Sequence, residues 1–306
     1  MNVLHHARIR QIRGVIFALL GGIGWGFSGA CGQYLFMYYD VNPLWLADVR
    51  MVCAGVMLTC VCMSVPRWRS ATLKLMSHKS DVVHLVVFAL LGLTLCQVSY
   101  LLAIKYSNAA TATVLQYIGP VFIVVYVCVS SLKAPRAREI IALICVIVGT
   151  FLIATHGNMS TMVLSSQGLF WGIAAAVSVA LYTLLPRRLM ATYASLPVTA
   201  LAMLVGGVVL CVVCRPWTMN VSLDVSGMLA VAAIVVLGTA VGFTLYLQGV
   251  ADIGASRASL ISSIETVSAT LFAMLWLGTP FMWIDFIGFA CIMMTVVLLA
   301  QPHGSE

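Results

Sequence analysis

LGLTLCQVSYLLA, residues 91–103, lies over LGTAVGFTLYLQG, residues 237–249, at an offset of 146. Tyr100 falls on Tyr246, and the same offset carries Ala109 onto Ala255, Ala112 onto Ala258 and Ile118 onto Ile264. Upstream the offset is 154, with Gly14 on Gly168, Leu35 on Leu189 and Pro43 on Pro197, so the first half has the longer loop after its second segment. Single identities between apolar stretches carry little weight. A constant offset through three consecutive segments carries much more, and it reads as an internal duplication. The chain divides into halves at 1–156 and 157–306.

Composition says what surrounds those halves. Of 306 residues, 62% are apolar and 8% charged, and the mean hydropathy is +1.07. A soluble domain of this length needs a hydrated shell, with roughly a quarter of its residues charged; here the surplus apolar surface has to face lipid. Crossing a hydrocarbon core of about 30 Å takes about 20 apolar residues. Ten segments of that kind lie near 12–37, 43–65, 82–104, 108–130, 137–155, 167–189, 196–214, 226–249, 254–277 and 281–300, numbered here as spans 1 to 10. Arg8, Arg10 and Arg13 ahead of the first give it a signal-peptide look, but it runs past 20 residues and nine similar runs follow, so it reads as a span. The expected fold is all-α, ten transmembrane helices in two five-helix repeats.

Charge then fixes orientation. Five spans per half is odd, so the halves point in opposite directions, and lysine and arginine stay cytoplasmic. With the N-terminus inside, Arg67, Arg69, Lys74 and Lys79 after span 2 face a counterpart loop holding only Arg215 and Asp224. Lys133, Arg136 and Arg138 after span 4 face an uncharged GTPF, and Arg187 and Arg188 after span 6 replace YYDVNP after span 1. Thirteen of sixteen basic residues then lie inside, Lys105 and Arg215 outside, and Arg50 within span 2. Both termini are expected in the cytoplasm, and the repeats inverted. The net charge of +7 is thus an orientation signal, not the single basic face of a nucleic-acid binder. Inverted repeats are a device of alternating-access transporters, which open a midplane site to each side in turn.

Ionisable groups at depth are costly and mark candidate sites. Glu265 lies about 16 Å into span 9, near half the core thickness. Ser262 and Ser268 share its face, and a cationic group or a proton is its natural ligand. Gly119 and Pro120 stand opposite Glu265 in the repeat; the proline frees a carbonyl near Gln116, as a hinge or kink lining a cavity would. Gln97 and Tyr100 share a face of span 3, Tyr246 repeats Tyr100, Trp25 and Ser28 share a face of span 1, and Ser178 and Tyr182 one of span 6. Rings with one polar edge suit an amphipathic, amino-acid-like ligand. The candidate substrate-binding set is Glu265, Trp25, Gln97, Tyr100, Gln116, Tyr182, Tyr246 and Ser262. Arg50 is expected to form a structural ion pair with Asp48. Gly22 and Gly26 make a G-x-x-x-G, a close-packing signal, and His156 reads as a solvated loop residue. The ten cysteines show no converging metal set, and no H-E-x-x-H, G-x-S-x-G or phosphate-binding glycine loop is present. No enzyme activity, cofactor or metal is expected.

PLWLADVRMVCAGVML in span 2 with its arginine, QYIGPVFIVV in span 4 with the basic linker and REIIALICVIVGTFLIA after it, and SSIETVSATLFAMLWLG in span 9 together resemble the drug/metabolite transporter superfamily, specifically its ten-helix EamA-type members. Glu265 matches the glutamate of that family's Glu-Pro segment; Thr266 replaces the proline, and Ala134 and Thr279 replace glutamates the family often carries after spans 4 and 9. The resemblance implies a multi-pass protein of the bacterial inner membrane, a secondary transporter exporting small metabolites such as amino acids or related amines. The alternatives are a nucleotide-sugar or lipid-precursor exchanger, which wants a strongly basic cavity, and a non-transporting sensor or assembly factor. The implied partners are a small-molecule substrate and the lipid bilayer, with a homodimer left open and nucleic acid not expected.

Overall fold

The computed structural model describes residues 2–106, 109–132, 134–161, 165–278 and 282–300, and among them all regular structure is helical. The expected junctions at Asn108 and Pro280, together with Lys133 and Thr279, lie outside the described residues. Nine of the described helices are long and apolar enough to cross a membrane: Arg8–Tyr39, Pro43–Ser64, Lys79–Ala103, Ala112–Ser131, Ala137–Thr155, Ser166–Tyr193, Ser195–Cys214, Val225–Ile253 and Ala255–Leu277. The shorter Trp283–Ala300 is the tenth. Lipid offers no hydrogen bonds to the backbone, which is why apolar runs of this length close their own ladders as helices. Side-chain caps start several of them: Asn42 Oδ1 accepts from Leu44 N at 2.9 Å ahead of span 2, Ser165 Oγ from Gly168 N at 2.9 Å ahead of span 6, and Asp224 Oδ1 from Gly227 N at 2.8 Å ahead of span 8.

Two features depart from the simple reading of the sequence. The basic stretch after span 2 is not a loop but a further amphipathic helix, Pro66–Ser77. Spans 3 and 8 are not α-helical throughout: each widens into a π-helical turn, at Phe88–Thr94 and at Ile234–Val241. These turns coincide with the starts of the two stretches aligned at the offset of 146.

Packing repeats as well. Span 1 packs on spans 8 and 9, and span 6 on spans 3 and 4; span 2 packs on span 7, and span 5 on span 10. A methyl group on Gly92 of span 3 would lie 3.0 Å from Tyr182 Cα of span 6, and one on Gly238 of span 8 would overlap the Ser28 side chain of span 1. Gly238 is Gly92 shifted by 146, and Tyr182 is Ser28 shifted by 154, so one close approach is made twice. The G-x-x-x-G of span 1 does what its pattern suggests: added methyls at Gly22 and Gly26 would press on Ser262 O at 2.7 Å and Glu265 O at 2.6 Å, so spans 1 and 9 meet backbone to backbone.

Polar ties order the two ends of the bundle. At one end Arg13 holds Asp252 with two bonds of 2.8 Å, joining the start of span 1 to the end of span 8. Ser195 Oγ donates to Gln248 Oε1 at 2.7 Å and Tyr193 OH to Asp81 Oδ2 at 2.7 Å, which brings the junction of spans 6 and 7 and the start of span 3 to that same end. At the other end Tyr39 OH donates to Asp224 Oδ1 at 2.5 Å and Ser165 Oγ to the Tyr106 carbonyl at 2.5 Å. His156, expected to be solvated, instead has Nδ1 2.9 Å from Oδ1 of the buried Asp285, tying span 5 to span 10.

Candidate functional site

Span 9 is not the continuous helix that its sequence suggests. It divides at Ser262 and Ser263 into Ala255–Ile261 and Ile264–Leu277. Ser259, Ser262 and Ser263 turn their hydroxyls onto carbonyls three residues back, those of Ser256, Ser259 and Leu260, at 3.0, 3.0 and 2.6 Å. Glu265 N and Thr266 N close tight turns onto the Ser262 and Ser263 carbonyls, each at 3.0 Å. Hydroxyls bonding back to the backbone bend a helix without a proline. The mid-helix position expected of Glu265 is thereby corrected: it occupies the first turn of the second half-helix, where the helix dipole favours negative charge.

Span 4 is interrupted to match. Ala109–Gln116 and Gly119–Ser131 flank a turn at Tyr117 and Ile118, and Pro120, in the first turn of the second half, has no N–H to offer the Gln116 carbonyl. From this turn Tyr117 OH donates to Glu265 Oε2 at 3.2 Å. The halves Gly119–Ser131 and Ala255–Ile261 pack against each other, on the side of the Arg13–Asp252 tie. On the other side Ala109–Gln116 packs on spans 3, 5 and 6, whereas Ile264–Leu277 packs on spans 1, 5 and 10.

Arg50 reaches this region from span 2. Its Nε lies 3.0 Å from Thr239 Oγ1, and the Gln97 carbonyl oxygen, with its amide oriented to accept, lies 3.2 Å from Nε and 3.3 Å from Nη2. Thr239 stands on the π-turn of span 8 and bonds the Ile234 carbonyl five residues back at 2.9 Å; Gln97 follows the π-turn of span 3. Extra residues of this kind re-aim side chains and are frequent at functional sites. The expected Arg50–Asp48 ion pair does not form. Two positions apart on a helix, the residues face different neighbours, and Asp48 is buried toward the Cys211 thiol of span 7, with Oδ1 unpartnered.

Arg50, Gln97, Tyr100, Gln116, Tyr117 and Glu265 each keep accessible surface, although Arg50, Tyr100, Tyr117 and Glu265 lie deep inside the bundle. Accessible surface on side chains at this depth implies a space between the spans. Arg50 and Glu265 are within Coulombic reach of one another, yet they close no ion pair among the described residues. Tyr100 shares a 3.0 Å bond with Thr113, and Gln116 Nε2 stands 3.8 Å from Cys96 Sγ. Beside them Trp25, Tyr182, Phe243 and Tyr246 form one aromatic cluster, with Trp25 centroids 4.9 Å from both Phe243 and Tyr246 and 6.3 Å from Tyr182. Trp25 Nε1 is buried without a partner, whereas Tyr246 OH is paired with Thr183 at 2.9 Å. Of the candidate residues, Ser262 alone spends its hydroxyl on its own helix at the break. Sequence reasoning missed Tyr117, Thr239 and Phe243; the duplication held a signal for Phe243, which falls on Gln97 at the offset of 146.

A fold of ten apolar helices with ionisable side chains at depth has counterparts. The profile of the EamA-like transporter family matches this chain twice, over residues 12–155 and 166–301. The chain belongs to this family. YicL, an uncharacterized inner membrane transporter of Salmonella typhimurium (strain LT2), is 35% identical over 288 residues, 94% of this chain and 95% of that protein. YyaM, an uncharacterized transporter of Bacillus subtilis (strain 168), is 24% identical over 229 residues, 72% and 73% of the two chains. A crystal structure of a protein 17% identical to this one, covering 96% of both chains, has a TM-score of 0.74 and shares the fold. This EamA-like protein is accordingly a multi-pass membrane transporter of the bacterial inner membrane.

Proposed function

We propose that this EamA-like transporter exports amino acids or related amines by alternating access around the cavity bordered by Glu265 and Arg50. The observation that carries the reading is the pair of opposite charges on one deep cavity, near each other but not closed into an ion pair. A zwitterion complements both: its ammonium faces Glu265, whose carboxylate Tyr117 orients, and its carboxylate faces the guanidinium that Gln97 and Thr239 hold. The Trp25–Tyr182–Phe243–Tyr246 cluster then offers an apolar wall to the side chain, and Trp25 Nε1 a spare donor. Gln116 and Tyr100 line the same space, and the breaks at Gly119–Pro120 and Ser262–Ser263 supply the hinges.

In this reading residues 1–156 and 157–306 are inverted five-helix repeats, both termini are cytoplasmic, and the end bearing the Arg13–Asp252 tie faces the cytoplasm. The exchange of packing partners between spans 1 and 6 and spans 3 and 8 supports it. The described conformation is then closed inside, where Gly119–Ser131 meets Ala255–Ile261, and open outside, where the other halves share only span 5 and otherwise pack on different spans.

The test is a thermal-shift screen of the purified protein against amino acids and against the amines lacking their carboxylate. A ligand that binds the native state raises the melting temperature by mass action. Glu265→Gln is expected to lose the shift with both classes, and Arg50→Gln with amino acids alone. A shift that survives both substitutions moves the site elsewhere and sinks the zwitterion reading.

A further inference from the structure

The helix Pro66–Ser77, at the end of span 2, carries a second feature. Thr72 and Leu75 are fully buried and Trp68 packs on the main core, which fixes the helix rotation. At 3.6 residues per turn Arg69, Leu73 and Met76 then fall along one flank, and Arg67 and Lys74 along the opposite one. Leu73 and Met76 are 50% and 57% exposed, an unusual use of apolar side chains beside so many charges. Between this flank and the last turn of span 2 runs an open groove of about 380 Å³, lined by Met63, Ser64, Pro66, Arg69, Ser70 and Leu73.

Span 2 is a helix of crossing length that ends at Ser64, so the groove sits where hydrocarbon gives way to headgroups. An amphipathic helix lying in that plane keeps its apolar flank toward the acyl chains and its basic flank toward water. Arg69 is exposed and its guanidinium has no hydrogen bond or ion pair among the described residues. Residues 66–80 contain Arg67, Arg69, Lys74 and Lys79 and no acid.

We propose that this groove binds one anionic phospholipid of the leaflet in which span 2 ends, the cytoplasmic one in the orientation given above. The phosphodiester meets the Arg69 fork and the Ser70 hydroxyl, and an acyl chain descends along Met63 and Leu73. A planar guanidinium matches two phosphate oxygens at once. The unbalanced charge of residues 66–80 selects an anionic headgroup over a zwitterionic one of equal chain length.

The full-length protein is released from detergent into a native mass spectrometer after equilibration with equal amounts of phosphatidylglycerol and phosphatidylcholine. The wild type is expected to retain one phosphatidylglycerol, about fivefold in preference to phosphatidylcholine, as one interfacial basic residue provides. Arg69→Gln should lose that preference and Arg215→Gln, a basic residue after span 7 at the opposite end, should keep it. Leu73→Gln, which leaves every charge in place, should lower retention of both lipids and gives the reading if Arg69→Gln fails to fold. Equal retention of the two lipids by the wild type, an unchanged preference in Arg69→Gln, or displacement of the lipid by millimolar inorganic phosphate each overturns the proposal. None of these readouts involves transport, so the outcome is independent of the substrate assigned to the central cavity.

Discussion

At the scale of residues, the centre is an arrangement of few charges with many neutral supports. A lone carboxylate or guanidinium at this depth is expensive, and each here has been given partners: Tyr117 for Glu265, Thr239 and Gln97 for Arg50. Hydrogen bonds to charged groups contribute about 1.5–3 kcal/mol, so Tyr117→Phe is expected to weaken substrate binding by roughly tenfold, a smaller loss than Glu265→Gln causes. Isothermal titration would check it, and an unchanged Kd would mean that Tyr117 does not orient the carboxylate. Much of this was legible in the sequence. Glu265, Gln97, Tyr100 and Gln116 stood out because each is polar inside an apolar run. The neighbours of Arg50 were not legible, because helical spacing says which way a side chain leaves its own helix and nothing of what stands opposite. Proximity in sequence suggested Asp48, whereas packing delivered Gln97 from span 3 and Thr239 from span 8.

At the scale of elements, the ten apolar runs and the break in span 4 follow directly from length, hydropathy and one proline. The break in span 9 does not, since three serines achieve by back-bonding what a proline announces by its identity. The helix Pro66–Ser77 was hidden by its charges, which read as loop until Trp68, Thr72 and Leu75 are seen to share a face. Tight packing sets the cost of change here. Gly26→Val would drive a side chain into Ser268 and Ala269, an overpacking worth about 1–3 kcal/mol, whereas Gly29→Ala meets nothing within 4 Å. Thermal unfolding should show a clear loss for the first and none for the second. Where span 1 ends and span 8 begins, the Asp224 carboxyl is held at about 2, below its ordinary 3.8, chiefly by the Tyr39 hydroxyl and then by Gly227 N–H and Ser226. A depressed carboxyl stabilises above its unfolded value. This clasp is therefore at full strength above about pH 4 and is lost as pH falls toward 2, a stretch of the stability–pH curve that Asp224→Asn should flatten.

At the scale of the whole molecule, the proposed alternating access predicts that the cavity is reached from one side in this conformation. Gly119–Ser131 packs against Ala255–Ile261 at the end that holds the Arg13–Asp252 tie, while at the other Ala109–Gln116 and Ile264–Leu277 share span 5 and otherwise pack on different spans. A cysteine at Gln97, introduced after the ten native cysteines are replaced by serine, should be labelled by a membrane-impermeant thiol reagent added outside right-side-out vesicles, and not in inside-out ones. Labelling only in inside-out vesicles would reverse the conformation or the orientation. The two π-turns bear on something older than transport. Each holds a residue that a regular helix would not, and they begin 146 residues apart, at Phe88 and Ile234. π-Helical turns are rare, so a matching pair is more economically inherited than invented twice. On the two-repeat reading the insertion predates the fusion of the halves, and the ancestral half already carried the turn.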